Sequence, residues 1–205
     1  MIQATPQMSD SATSDASGAQ GRCDQAAFRL VLHALSRPGT IVELAGDQTA
    51  PVALHAAAAA VALTLFDFET PVWLDGRLAG DDEVVDFLRF GTGAPVVAAL
   101  SGAAFAFVAD GLVTPPLADF ALGSNAAPET STTVIIQTQG LRQEGGWTLT
   151  GPGIKDVARL TIDGLRSDFA AEMIVNHGLF PQGVDVIFAA GNRLAALPRT
   201  TRVEA

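Results

Sequence analysis

Two stretches carry the side chains best suited to chemistry. The first is "LTGPGIKD", Leu149 to Asp156, where Gly151 and Gly153 flank Pro152 and Lys155 follows as the only lysine among 205 residues. Glycine-rich turns followed by lysine hold phosphates through backbone N–H groups and the ammonium, and a solitary lysine also suits a Schiff base. Gly146 and Gly151 have the four-residue gap of a phosphate loop, but Pro152 stands where its lysine should be and removes an N–H donor from the turn. The second stretch is "LPRTTR", with Arg199 and Arg202 around Thr200 and Thr201. Guanidinium forks and hydroxyls match phosphate or phosphonate oxygens. The alternative is that these arginines pair with surface carboxylates in a chain with acid to spare. Lys155, Arg199, Thr200 and Arg202 are therefore the candidate anion contacts, and no residue is assigned a catalytic role.

Other chemistries lack their constellations. A dinucleotide fingerprint needs a third glycine that neither Gly91-Thr92-Gly93 nor Gly151-Pro152-Gly153 supplies. His33, His55 and His177 fall on or beside different expected helices with no partner at i+4, so no metal site is expected and the histidines read as surface or capping residues. A G-x-S-x-G elbow is absent. Asp67 and Glu69 are close enough to suggest paired carboxylates, yet residues in that place after a helix usually solvate a loop.

Composition bounds the function classes. Twelve basic against 22 acidic residues give a net charge of −10. A nucleic-acid surface needs clustered Lys and Arg to displace counterions, so no such partner is expected. No apolar run is long enough for a membrane span, and no basic start with an apolar stretch marks a secretory signal. Cys23 is the only cysteine, which excludes an internal disulfide and an iron–sulfur cluster and suits a reducing cytoplasm.

The elements that must position these residues can be read from periodicity. Residues 1–23 are polar and without an apolar period, and read as a disordered tail; residues 24–205 read as one α/β domain. Asp24 is a plausible cap for a helix whose Phe28, Val31, Leu32 and Leu35 share a face. "TIVEL" alternates as a strand, Pro51 opens an alanine-rich helix, and "TPVWL" is the next strand. Asp81 and Asp82 cap a helix with Val84, Val85, Phe87 and Leu88 inward. "AFAFV", "TTVIIQT" and "WTLTG" are further strands, and "VVAAL" and "TVIIQ" suit central ones covered on both faces. A helix through Phe169, Met173 and Ile174 precedes "VDVIFAA" and "RLAALP", which Gly191-Asn192 joins as a hairpin. The sum is a mixed central β-sheet flanked by helices, with about four helices and seven or eight strands.

In this setting "FRLVLHALSRPGTIVEL", "LTLFDFETPVWL", "LRFGTGAP", "APETSTTVIIQ", "LTGPGI" and "FPQGVDVIFAAGNRLAALPRTTR" stand in order from Phe28 to Arg202. As an ordered set they resemble the H subunit of the carbon–phosphorus lyase system (the PhnH family). The resemblance implies a subunit without assigned catalytic residues and without a cofactor. It implies a fold like that of pyridoxal-phosphate-dependent transferases lacking their cofactor site, and a homodimer. It implies assembly with the G, I and J subunits into a core that makes ribose 1-phosphonate 5-triphosphate from ATP and a phosphonate, so that nucleotide or phosphonate is a conceivable ligand. One departure is Gly91, where that family commonly has histidine; a role depending on that imidazole is put in question.

Overall fold

The computed structural model of the protein describes residues 25–44 and 50–205. The N-terminal stretch 1–23, with Cys23, and the Asp24 cap lie outside the described residues. A six-stranded sheet organises the rest, with strand order β1-β8-β7-β4-β3-β2. β2 (Val72–Leu74), β3 (Phe105–Val108), β4 (Thr133–Gln137) and β7 (Asp185–Ala190) run parallel as neighbours. β8 (Arg193–Leu197) returns antiparallel to β7, and β1 (Val42–Glu43) closes that edge. The β7–β8 hairpin turns on Gly191-Asn192 as expected, with Gly191 at φ +60°. Residues of β4 and β7 are almost continuously apolar because both faces of the central strands are covered.

Helices cover one face. α1 (residues 25–36) and α2 (Ala56–Leu65) pack there with α3 (Gly76–Ala79) and α4 (Asp82–Thr92), enclosing a core with Phe107, Ile135, Ile187 and Leu194 of the sheet. Ala57 to Ala62 of α2 are all buried, so its alanines let backbone and sheet approach closely. The opposite face carries a second sheet, β6-β5-β9, formed by β5 (Gly140–Thr150), β6 (Ala158–Asp163) and β9 (Arg202–Glu204), together with α5 (Phe169–Gly178). Trp147, Phe169 and Phe188 meet at centroid distances of 6.1–6.4 Å and tie small sheet, helix and main sheet together.

Several sequence expectations need correction. The mixed central sheet is present, but "WTLTG" belongs to the separate three-stranded sheet, whose β6 and β9 were not foreseen. "VVAAL" is no central strand: Val96 bridges Val72 in isolation, is 47% exposed, and a 3-10 turn follows at Leu100–Gly102. Pro51 starts a turn closed by the Leu54 N–H on its carbonyl, and α2 begins five residues later. On α1 the buried residues are Val31 and Ala34, whereas Phe28 and Leu32 are exposed; Ile174 of α5 also faces outward. "TIVEL" shortens to two strand residues.

Candidate functional site

The four candidate anion contacts, Lys155, Arg199, Thr200 and Arg202, do not converge. Arg199 lies in the turn between β8 and β9, closed by the Thr201 N–H on the Pro198 carbonyl. Its guanidinium forks onto Asp185 at the start of β7, Nε donating to Oδ1 at 3.2 Å and Nη2 to Oδ2 at 2.6 Å. Nη1 donates to the Pro128 carbonyl at 2.8 Å and lies 3.5 Å from that of Pro181. The Arg199 N–H also reaches Asp185 Oδ1 at 2.8 Å, and His177 Nδ1 donates to the Arg199 carbonyl at 3.2 Å. With its side chain only 13% exposed, Arg199 is a brace with a partner on each of its three guanidinium nitrogens. It pins the passage from large sheet to small sheet onto "APET", "FPQG" and α5. A shallow cavity of about 320 Å³ beside it is walled by Pro128, Pro181, Pro198 and Phe180.

Arg202, on β9, has an exposed side chain whose Nε sits 3.6 Å from Glu204 Oε1. Thr200 is half-buried in the turn. Lys155 is exposed beyond β5 and lines neither this cavity nor the crevice described below. The turn before it has a packing role. Gly153, at φ +82°, approaches so closely that an added Cβ would fall 2.1 Å from the Ser36 carbonyl oxygen at the end of α1. Gly151, at φ +134°, leaves the same kind of gap, 2.8 Å, to the Thr200 carbonyl. "LTGPGI" is the junction of small sheet, α1 and the 198–201 turn.

The arrangement best suited to a ligand lies elsewhere, outside the carboxyl ends of the parallel strands, where open α/β sheets bind their ligands. Asp75 follows β2 and is buried. Its Oδ1 accepts the Arg77 and Leu78 N–H groups at 3.0 and 2.9 Å, capping α3, and its Oδ2 accepts the Ala109 N–H at 2.7 Å beyond β3. Gln137, at the end of β4 and 3% exposed, accepts the His55 N–H and donates to the Ala53 carbonyl at 2.9 Å. His55 precedes α2, and its Nδ1 donates to the Ala189 carbonyl at 3.0 Å. These hydrogen bonds fix three loops and the ends of β4 and β7 around a crevice of about 180 Å³ lined by His55, Arg77, Asp110, Gln137 and Gln139. None of these five had been singled out as a site residue, because the signal is their arrival at one sheet edge and not a spacing in sequence. His55 stands immediately before α2 and not inside a helix opened by Pro51, and its ring caps no helical N–H.

Gly91 lies in the last turn of α4 against Leu63 of α2, where a Cβ would come 2.7 Å from the Leu63 side chain. A larger residue there requires Leu63 to move. Among the described residues no cluster of three or more His, Cys, Asp and Glu is placed to hold a metal ion, and no helix is long and apolar enough to cross a membrane.

Comparison with known proteins accounts for the ordered motifs. A family model described as bacterial phosphonate metabolism protein (PhnH) matches residues 19–204. The chain is 37% identical over 182 residues, 88% of its length and 90% of the relative's, to the alpha-D-ribose 1-methylphosphonate 5-triphosphate synthase subunit PhnH of Rhizobium meliloti (strain 1021). It is 32% identical over 182 residues, 87% of its length and 85% of the relative's, to a protein of Stutzerimonas stutzeri provisionally named C-P lyase subunit HtxG. The chain belongs to the PhnH family of bacterial phosphonate metabolism proteins.

Proposed function

We propose that this chain is a non-catalytic, accessory subunit of a carbon–phosphorus lyase core, supporting formation of ribose 1-phosphonate 5-triphosphate from ATP and a phosphonate in the cytoplasm. The observation that carries this reading is the end-to-end similarity to proteins that are themselves named as subunits. The surface supports it. Val175, Leu179 and Phe180 expose apolar side chains along α5 and its end, beside a groove of about 320 Å³ walled by Leu117, Leu122 and Val175. On the opposite layer Phe68 and Phe90 are 74% and 77% exposed. Apolar patches of this kind mark surfaces that partners cover. Two such faces on opposite layers suit a protein that meets both a second copy of itself and different subunits, here the G, I and J subunits.

The same reading takes the architecture as a pyridoxal-phosphate transferase-like frame without the cofactor. Its sole lysine is exposed in a turn, where nothing would shield a Schiff base from water. The catalytic part is tested by incubating the isolated chain with ATP and methylphosphonate and assaying free adenine. No adenine above the uncatalysed background is expected. Sustained release by the chain alone, lost in Arg77→Gln or Arg202→Gln, overturns the accessory assignment in favour of an enzyme with its own anion site.

A further inference from the structure

The crevice at the carboxyl ends of β2, β3, β4 and β7 combines three features that a mere loop junction does not need. The first is a buried frame: Asp75 and Gln137 spend their hydrogen bonds on backbone groups of three separate segments, 53–55, 77–78 and 109, which holds the walls in place before any ligand arrives. The second is a cation and an anion that share the cavity without pairing. Arg77 and Asp110 both line it, yet none of the ion pairs among the described residues includes either of them. Among the described arginines, Arg142, Arg166, Arg199 and Arg202 each have a carboxylate within 4.0 Å; Arg29, Arg37, Arg89, Arg159 and Arg193 share Arg77's lack of one, but of these six Arg77 is the one that lines this crevice. In a chain of net charge −10, an arginine left without a carboxylate partner inside a crevice offers its fork to something else.

The third feature is the set of acceptors opposite it. Asp110 uses Oδ1 on the Leu112 N–H at 3.0 Å, which leaves Oδ2 to accept a further donor. His55 donates through Nδ1, so Nε2 of the neutral ring is an acceptor. A cavity of about 180 Å³ is smaller than the roughly 300–1,000 Å³ of sites for drug-sized ligands, so its occupant is small.

We propose that this crevice binds a small oxyanion carrying an amino group, the oxyanion on Arg77 and the amino donor on Asp110. The oxyanion is a phosphonate or a carboxylate, and the site acts on the isolated chain without partner subunits. Calorimetric titration with 2-aminoethylphosphonate, 3-aminopropanoate and methylphosphonate tests it and separates the two oxyanions. Saturable binding of at least one amino compound is expected, tighter than that of methylphosphonate. Arg77 is exposed, and Arg77→Gln should leave the circular dichroism unchanged while weakening binding about tenfold or more, the loss of one charge-assisted hydrogen bond. Asp110→Asn keeps the oxygen that accepts the Leu112 N–H and should erase the preference for the amino compounds. No saturable binding of either amino compound overturns the proposal. So does undiminished binding by Arg77→Gln, or a preference that survives Asp110→Asn. Each of these leaves the subunit reading untouched, because that reading concerns assembly and not this ligand.

Discussion

Arg199 shows how a residue well suited to anion binding is claimed by architecture. Its fork, its N–H and its carbonyl all have partners within the chain, and those partners come from two of the motifs that stand in order along the sequence and from α5. Arg199→Ala would leave Asp185, which is 23% exposed, without its counter-ion. The expected cost is about 2–3 kcal/mol, below the roughly 3–5 kcal/mol for breaking a fully buried pair because both partners keep some contact with water. Urea denaturation checks this, and Arg199→Lys should recover little, since an ammonium cannot fork onto Asp185 and reach Pro128 as well. Lys155→Ala, an exposed change, should fall within about 0.5 kcal/mol of the parent.

At the scale of elements, the same logic explains the glycines around Pro152. Gly153→Ala places a methyl group on the Ser36 carbonyl in a backbone conformation that side chains rarely adopt, and should cost about 2 kcal/mol or more by the same denaturation assay. Asp75 links β2, α3 and β3. Asp75→Ala should cost about 2–3 kcal/mol by orphaning buried N–H groups. Asp75→Asn should recover only part of it: one amide oxygen can still cap α3, but the amide NH₂ then faces the Ala109 N–H, donor against donor.

These elements also show what periodicity could and could not reveal. α4 was legible from Asp81 and its apolar spacing, and the β7–β8 hairpin from Gly191-Asn192 between two apolar runs. β6 was hidden because "ARLTID" mixes polar and apolar residues on a strand of a small, partly exposed sheet. "VVAAL" misled because small apolar residues suit a loop packed on a sheet end as well as a strand. The crevice was illegible for a different reason. His55, Asp75, Asp110 and Gln137 are far apart in sequence and are joined only by the parallel order of four strands.

On the scale of the whole molecule, one sheet separates two cores, and each outer layer leaves aromatic or aliphatic side chains in water. Substituting Val175 and Leu179 by Asp should leave the melting temperature within a few degrees, because Val175 is 65% and Leu179 37% exposed. The same substitutions should weaken association with the other subunits, read by pull-down, since they place charge on the apolar face of α5. The similarity to subunits of phosphonate-processing assemblies makes association itself the central claim. It is tested most directly by co-expressing this chain with the G, I and J subunits of its own organism and measuring the mass of the eluted species by size-exclusion chromatography with light scattering. The account predicts that the chain elutes within the assembly and adds its mass to it; an assembly of G, I and J that forms in the presence of this chain and elutes without it contradicts the account.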